Sequence, residues 1–186
     1  APKSVWMKFN ECKRSTLLFI HLNSKIFDNF VRFHNAYVTV EVNNLNVDSK
    51  LRERKFDATV LHLTSYIEFE NFFALIRRQN FLYDGHFVII YDSVDERVIE
   101  KMFSQFWDVY IYNVNILVMN GGLVSMFTYM PFASESCGDA KPIRINEFNS
   151  TTANWTTNEF FPKKFKQLNR CPLRFGCYEN SPGVLI

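Results

Sequence analysis

Four cysteines, four histidines and two Asn-x-Ser/Thr triplets carry the reactive chemistry of this chain. Cys12, Cys137, Cys171 and Cys177 contain no C-x-x-C pair, and their spacing suits no zinc site. In an oxidising compartment they can pair in three ways, and in a reducing one they read as mostly buried free thiols. Asn149-Ser150-Thr151 and Asn154-Trp155-Thr156 fit the acceptor pattern for an N-linked glycan. Both fall in a polar stretch, 146–158, expected as an exposed loop, whose plainer reading is an Asn/Thr-rich linker. His21 and His62 lie inside apolar runs, where an imidazole is more often a satisfied core or sheet-end group than a ligand. Asp92 follows an apolar run, a position where the sites of α/β sheets gather. Its plainer role is to cap the next helix.

The motifs of the common α/β enzymes are missing. There is no G-x-G-x-x-G, no Walker loop and no G-x-S-x-G elbow, and the first apolar run is followed by Asn23-Ser24-Lys25 without a glycine. The Gly121-Gly122 pair sits between two strand patterns and reads as a hairpin turn. No cofactor, metal or catalytic residue is therefore expected. The formal charge of +2, from 21 basic and 19 acidic residues, argues for no nucleic-acid partner. Lys163, Lys164 and Lys166 read as a solvated linker, with contact to anionic lipid or a partner as the alternative. No run of about 18 apolar residues offers a membrane span. The chain opens Ala1-Pro2-Lys3 without methionine or a visible signal peptide, which fits a processed end or a fragment boundary.

The elements that hold these residues follow from periodicity. A length of 186 residues suits one domain, and 20 phenylalanines imply a Phe-rich interior. Continuous or β-branched apolar runs predict strands at Thr16–Leu22, Ala36–Val42, Asp57–Leu63 and His86–Tyr91. A long strand is predicted over Val109–Met119, with a returning strand at Leu123–Tyr129. Helical spacing predicts one helix through Ile26, Phe27, Phe30, Val31 and His34, and a second over Ser65–Gln79. A third is predicted to be capped at Asp92-Ser93, with Val94, Val98, Met102, Phe103 and Phe106 on one face. The order implies an α/β fold: one doubly wound, mostly parallel sheet lobe with an antiparallel edge hairpin and an irregular C-terminal tail. The globular part has the length of one lobe, not two.

The tail runs Phe160-Phe161-Pro162-Lys163-Lys164-Phe165-Lys166-Gln167-Leu168-Asn169-Arg170-Cys171-Pro172-Leu173-Arg174. Its lysines read as solvated, and Cys171-Pro172 reads as the entry to an extended strand. This stretch resembles the junction of insect chemosensory ionotropic receptors, divergent relatives of ionotropic glutamate receptors. Met126-Phe127-Thr128-Tyr129-Met130-Pro131-Phe132, followed by Cys137, is similar to a second block of that family. Arg170 stands where the family pattern is expected to carry glycine or another small residue. Pro182 matches the proline expected after the first strand of the following domain.

The resemblance implies an α/β amino-terminal lobe at 1–133, an exposed junction at 134–170 and the start of a ligand-binding domain at 171–186. It favours a Cys137–Cys171 disulfide and leaves Cys12 and Cys177 open. It implies the extracellular part of a ligand-gated cation channel subunit at the plasma membrane, acting in smell or taste. This part would serve assembly with other subunits, in a hetero-oligomeric channel, and linkage to a downstream agonist-binding domain. Glycans would stand at Asn149 and Asn154, membrane contact would come only from downstream segments, and no ligand-binding residue is carried over. The competing reading is an intracellular α/β enzyme or small-molecule binding domain with reduced thiols and bare asparagines. A secreted carrier is a third.

Overall fold

The computed structural model describes residues 17–21, 37–41, 57–79, 85–133, 136–165 and 168–172. In chain order its elements are β1 (Leu17–His21), β2 (Tyr37–Glu41), β3 (Ala58–Leu63), α1 (Tyr66–Gln79), β4 (His86–Tyr91), α2 (Glu96–Asp108), β5 (Val114–Asn120), β6 (Leu123–Thr128), β7 (Phe132–Ala133), β8 (Ser136–Cys137), β9 (Ile143–Asn149) and β10 (Asn154–Trp155). Apolar runs with no polar alternation must be buried on both faces. Every residue of β3 is buried, as are Phe87 to Tyr91 of β4 and Val114 to Val118 of β5. These strands accordingly lie inside an eight-stranded sheet of order β10-β9-β6-β5-β4-β3-β1-β2.

The strands β2, β1, β3, β4 and β5 are parallel to one another. The chain winds outward from β1 to β2, then returns to β3 on the other side. That is a doubly wound order, with its switch point between β1 and β3. The antiparallel strands β6, β9 and β10 extend the other edge. The turn from β5 to β6 uses Gly121 and Gly122 at φ 55° and 90°, a conformation that side-chain-bearing residues rarely adopt. The expected α/β lobe with a parallel sheet and an antiparallel edge is thus present. The helix expected around Ile26–His34 lies outside the described residues.

Both described helices pack on one face of the sheet. Phe69 and Phe73 of α1, Phe106 of α2 and Phe87 of β4 bring their rings together with centroids 5.4–5.5 Å apart. Such stacked, tilted and edge-to-face pairs add to the burial of large apolar surface. The start of α1 is boxed. Ser65 Oγ accepts the Glu68 N–H at 3.4 Å, and the Glu68 carboxylate accepts from Thr64 N and Oγ1, each at 2.7 Å. The opposite face carries Ala58, Val60, Val88, Ile90, Leu117 and Met126 beneath Phe160.

Three local expectations are corrected. Asp95 caps α2, not Asp92-Ser93: its carboxylate accepts the Arg97 N–H at 3.0 Å, and Val94 lies outside the helix and exposed. Asp92 is held by His62 instead. The polar stretch expected as an exposed loop holds β9 and β10: β9 runs between β6 and β10, and its buried Asn146 is satisfied by hydrogen bonds to Thr156 and Thr157. The long strand from Val109 shortens to Val114–Asn120. The α2 helix ends in a Schellman turn, with Tyr110 N–H donating to Trp107 O at 2.9 Å and Ile111 N–H to Phe106 O at 2.9 Å. Tyr110 takes the left-handed conformation, φ 60°, that this turn requires. Glycine ordinarily signals that position, and a tyrosine between β-branched residues imitates a strand.

A left-handed tyrosine strains the native backbone by about 1–2 kcal/mol, and glycine relieves this at some cost in unfolded-chain entropy. Tyr110→Gly is therefore expected to raise the unfolding free energy by on the order of 1 kcal/mol, and the denaturation midpoint with it. Chemical denaturation followed by circular dichroism checks this, and a lowered midpoint would contradict it.

Candidate functional site

The β9–β10 hairpin presents the two Asn-x-Thr triplets together. Asn149 and Asn154 are register partners across the ladder, and both are exposed. The Asn149 carbonyl accepts the Thr151 N–H at 2.8 Å, closing an Asx turn. Asn146, buried beneath them, fixes the return of the chain. Its carbonyl accepts from Thr156 Oγ1 at 2.9 Å and Thr157 N at 3.0 Å, and its amide donates to Thr157 O at 2.9 Å.

From this hairpin the tail crosses the second sheet face and then wraps the edge where β4 and β5 begin. Phe160 is buried on that face, with its ring 5.2 Å from Trp155. Its carbonyl accepts the side-chain amide of Asn115, which is buried in β5. Phe161 meets the His86 ring at 4.3 Å. Burial pushes the His86 imidazole below its ordinary pKa, and the nearby Asp57 opposes this. Phe165 sits edge-on to Tyr112 at 4.5 Å, and Asn169 Nδ2 donates to Phe132 O at 2.6 Å. The structure then joins Cys171 to Cys137 as a disulfide, with their Cα atoms 5.3 Å apart. Cys12, Cys177 and Pro182 lie outside the described residues.

The turn Leu168-Asn169-Arg170-Cys171 explains the departure noted at Arg170. Asn169 and Arg170 have φ 46° and 63°, and the Cys171 N–H donates to Leu168 O at 2.8 Å. Two successive left-handed residues within one hydrogen-bonded turn make a type I′ turn, for which Asn-Gly is the favoured pair. This chain supplies Asn-Arg.

Lys164 is the residue that sequence reasoning placed wrongly. It is buried, not solvated, and its ammonium lies 4.2 Å from the centroid of the fully buried Tyr129 ring. Strap residues on either side of it pack onto the protein, so the side chain between them is carried inward. Its Nζ has no hydrogen-bond partner among the described residues, and burial pushes its pKa down to about 7. The ring face favours the ammonium and works against that shift. The Tyr129 hydroxyl is committed elsewhere, donating to Ile111 O at 2.7 Å. Burial drives the Tyr129 pKa upward. Only the aromatic block around Tyr129 signalled this pocket in the sequence, and nothing in a Lys-Lys pair says which lysine turns inward.

The carboxyl ends of the parallel strands are built differently. His62 Nε2 lies 3.3 Å from each Asp92 carboxylate oxygen, with the imidazole buried and the carboxylate partly exposed. This pair closes the ends of β3 and β4, beside the switch point. An open notch of about 430 Å³ lies between the helices, lined by Tyr66, Arg97, Glu100, Lys101, Ser104 and Gln105. Among the described residues no three His, Cys, Asp or Glu side chains gather as a metal set would. No described helix is long and apolar enough to cross a membrane.

A family model described as "Putative ionotropic receptor, ligand binding domain" matches residues 8–167. The chain belongs to this family. Comparison with curated proteins and with solved structures returns no match.

Two outcomes test the strap. A lysine with a lower pKa in the folded state leaves that state binding fewer protons than the unfolded chain. Its contribution to stability therefore rises with pH from about 7 towards its ordinary value of 10.5, and is flat below about 7. Lys164→Met is expected to raise the denaturation midpoint at pH 6 and to flatten the slope between pH 7 and 9, read against the unsubstituted chain. Equal slopes would contradict the assignment. Replacing Cys137 and Cys171 by serine opens a loop with a sequence separation of 34. A loss of roughly 3–4 kcal/mol is expected from loop-closure entropy, measured by urea unfolding.

Proposed function

We propose that this chain is the extracellular amino-terminal portion of a chemosensory, ligand-gated cation channel subunit. On this reading it helps subunits of a hetero-oligomeric channel assemble, and it links to an agonist-binding domain that starts at Cys171. The observation that carries the reading is the match to the ionotropic receptor family over residues 8–167. The chemosensory part rests on the resemblance of the Phe160–Arg174 stretch and the Met126–Phe132 block. Two further features support an extracellular setting. Disulfides persist in oxidising compartments, and the Cys137–Cys171 bond pins the strap where the described chain leaves the lobe. Both acceptor asparagines lie exposed on the outermost hairpin, where a glycan meets no packed surface and would shield the free edge of β10.

A second reading has its own support. The family description speaks of a ligand-binding domain, and the doubly wound order places a switch point between β1 and β3. Sheets of this kind bind small molecules in the crevice at that point. The lobe then contributes one wall of a ligand site beside His62 and Asp92. An intracellular α/β enzyme, by contrast, would carry reduced thiols and bare asparagines.

Intact mass of the non-reduced product from eukaryotic cells, before and after glycosidase treatment and thiol alkylation, separates these settings. Glycans at Asn149 and Asn154 and a peptide pair linked through Cys137 and Cys171 are expected. A bare chain in which Cys137 and Cys171 both alkylate without reduction would remove the extracellular reading.

A further inference from the structure

The sheet edge where β4 and β5 begin collects exposed apolar side chains. Tyr110 is 78% exposed, and Tyr112, Ile143 and Phe165 are also exposed. Register places them on one edge: Phe87 pairs with Val114 at the start of β5, and Ile143 pairs with Thr128 at the end of β6. The Tyr112 and Phe165 rings touch, and Phe165 reaches Phe132 at 5.6 Å. Exposed Lys163 and Arg170 flank the rings on the same strap, with no ion-pair partner among the described residues. The nearby acids are mostly engaged. Asp108 faces Arg77 at 3.9 Å, Asp139 faces Lys141 at 3.0 Å, and Asp57 interacts with His86.

Two of these side chains occupy positions that favour glycine. Tyr110 ends the Schellman turn at φ 60°, and Arg170 closes the strap turn at φ 63°. Each costs backbone energy and holds a large side chain at the surface: Tyr110 meets the Trp107 ring edge-on at 6.2 Å yet stays 78% exposed, and Arg170 is exposed. Strain kept at an exposed site points to a use for the side chain. Tyrosine, phenylalanine and arginine are also the residues enriched at the centres of protein interfaces.

We propose that this edge docks a protein partner that presents carboxylates around an apolar socket. Charge complementarity selects the partner: two cations with no ion-pair partner among the described residues flank the aromatic rings and call for acids opposite. A second copy docking edge to edge would set those cations against each other. The inference rests on the lobe being one module of a larger receptor.

The test places the photo-crosslinker p-benzoylphenylalanine at position 110 or 165 in the full-length protein that contains this chain, with position 67 as the exposed control. Crosslinks from 110 and 165, and not from 67, are expected on a peptide carrying Asp or Glu beside apolar residues. Lys163→Glu combined with Arg170→Glu is expected to cut their yield at least about tenfold, as facing like charges cost more than 1.4 kcal/mol. Thermal melts of that variant establish that it folds. Tyr110→Gly is expected to lower the crosslink from 165 while raising the midpoint. No crosslink above the control, crosslinks only to lipid or to another copy of the lobe, or a yield indifferent to charge reversal overturns the proposal. A glycosylated, disulfide-linked chain with a silent edge would overturn this inference and leave the receptor reading standing. Acidic-peptide crosslinks on a bare chain would do the reverse.

Discussion

The second face of the sheet must be kept from water, and much of the structure follows from how that is done. Ala58, Val60, Val88, Ile90, Leu117 and Met126 form a continuous apolar surface. No described helix covers it, since α1 and α2 both lie on the other face. The strap after β10 supplies Phe160 and Phe161, with Trp155 beside them. Fully burying a phenylalanine is worth about 1.5–3 kcal/mol. That is enough to hold a segment without regular secondary structure against the entropy of fixing it only if further ties add to it. The Asn115–Phe160 hydrogen bond, the Asn169–Phe132 bond and the disulfide are those ties.

What the sequence made legible and what it hid divide along a physical line. The buried parallel strands were legible because a strand buried on both faces needs an unbroken apolar run, and β3 and β4 are such runs. The β5–β6 hairpin was legible because Gly121-Gly122 announces its own geometry. The end of α2 and the strap turn were hidden because Tyr110 and Arg170 stand where glycine would have spoken. β9 was hidden because its buried polar residue, Asn146, is satisfied by Thr156 and Thr157, partners that no pattern in the sequence reveals, so Asn146-Glu147 reads as a loop. The Cys137–Cys171 bond was one of three pairings open to the residues; the place of both cysteines flanking the irregular segment favoured it, and the family resemblance carried much of the weight.

Lys164 shows the limit most sharply. Residue types place a Lys-Lys pair in water, and Lys163 obeys. Which lysine turns inward depends on the strap's register over Tyr129, which is set by where Phe160 and Cys171 are anchored. A buried ammonium without a hydrogen-bond partner costs stability unless it loses its proton or finds a π-face. Tyr129 offers that face, and its hydroxyl is already committed to Ile111, so the ring stays oriented.

The two edges of the sheet have different chemistry. At the carboxyl ends of β3 and β4, His62 and Asp92 form a polar closure beside the switch point. At the amino ends lie the strap, the disulfide and the aromatic rim. A strand of six residues separates them. At about 3.3 Å per residue, that is roughly 20 Å of buried, hydrogen-bonded backbone. A group bound at one edge can touch nothing at the other. Energetic coupling between them has to pass through rigid elements that move as units. The ties that fasten the strap to β5, β7 and β8 all lie at the amino ends, a strand's length from His62 and Asp92.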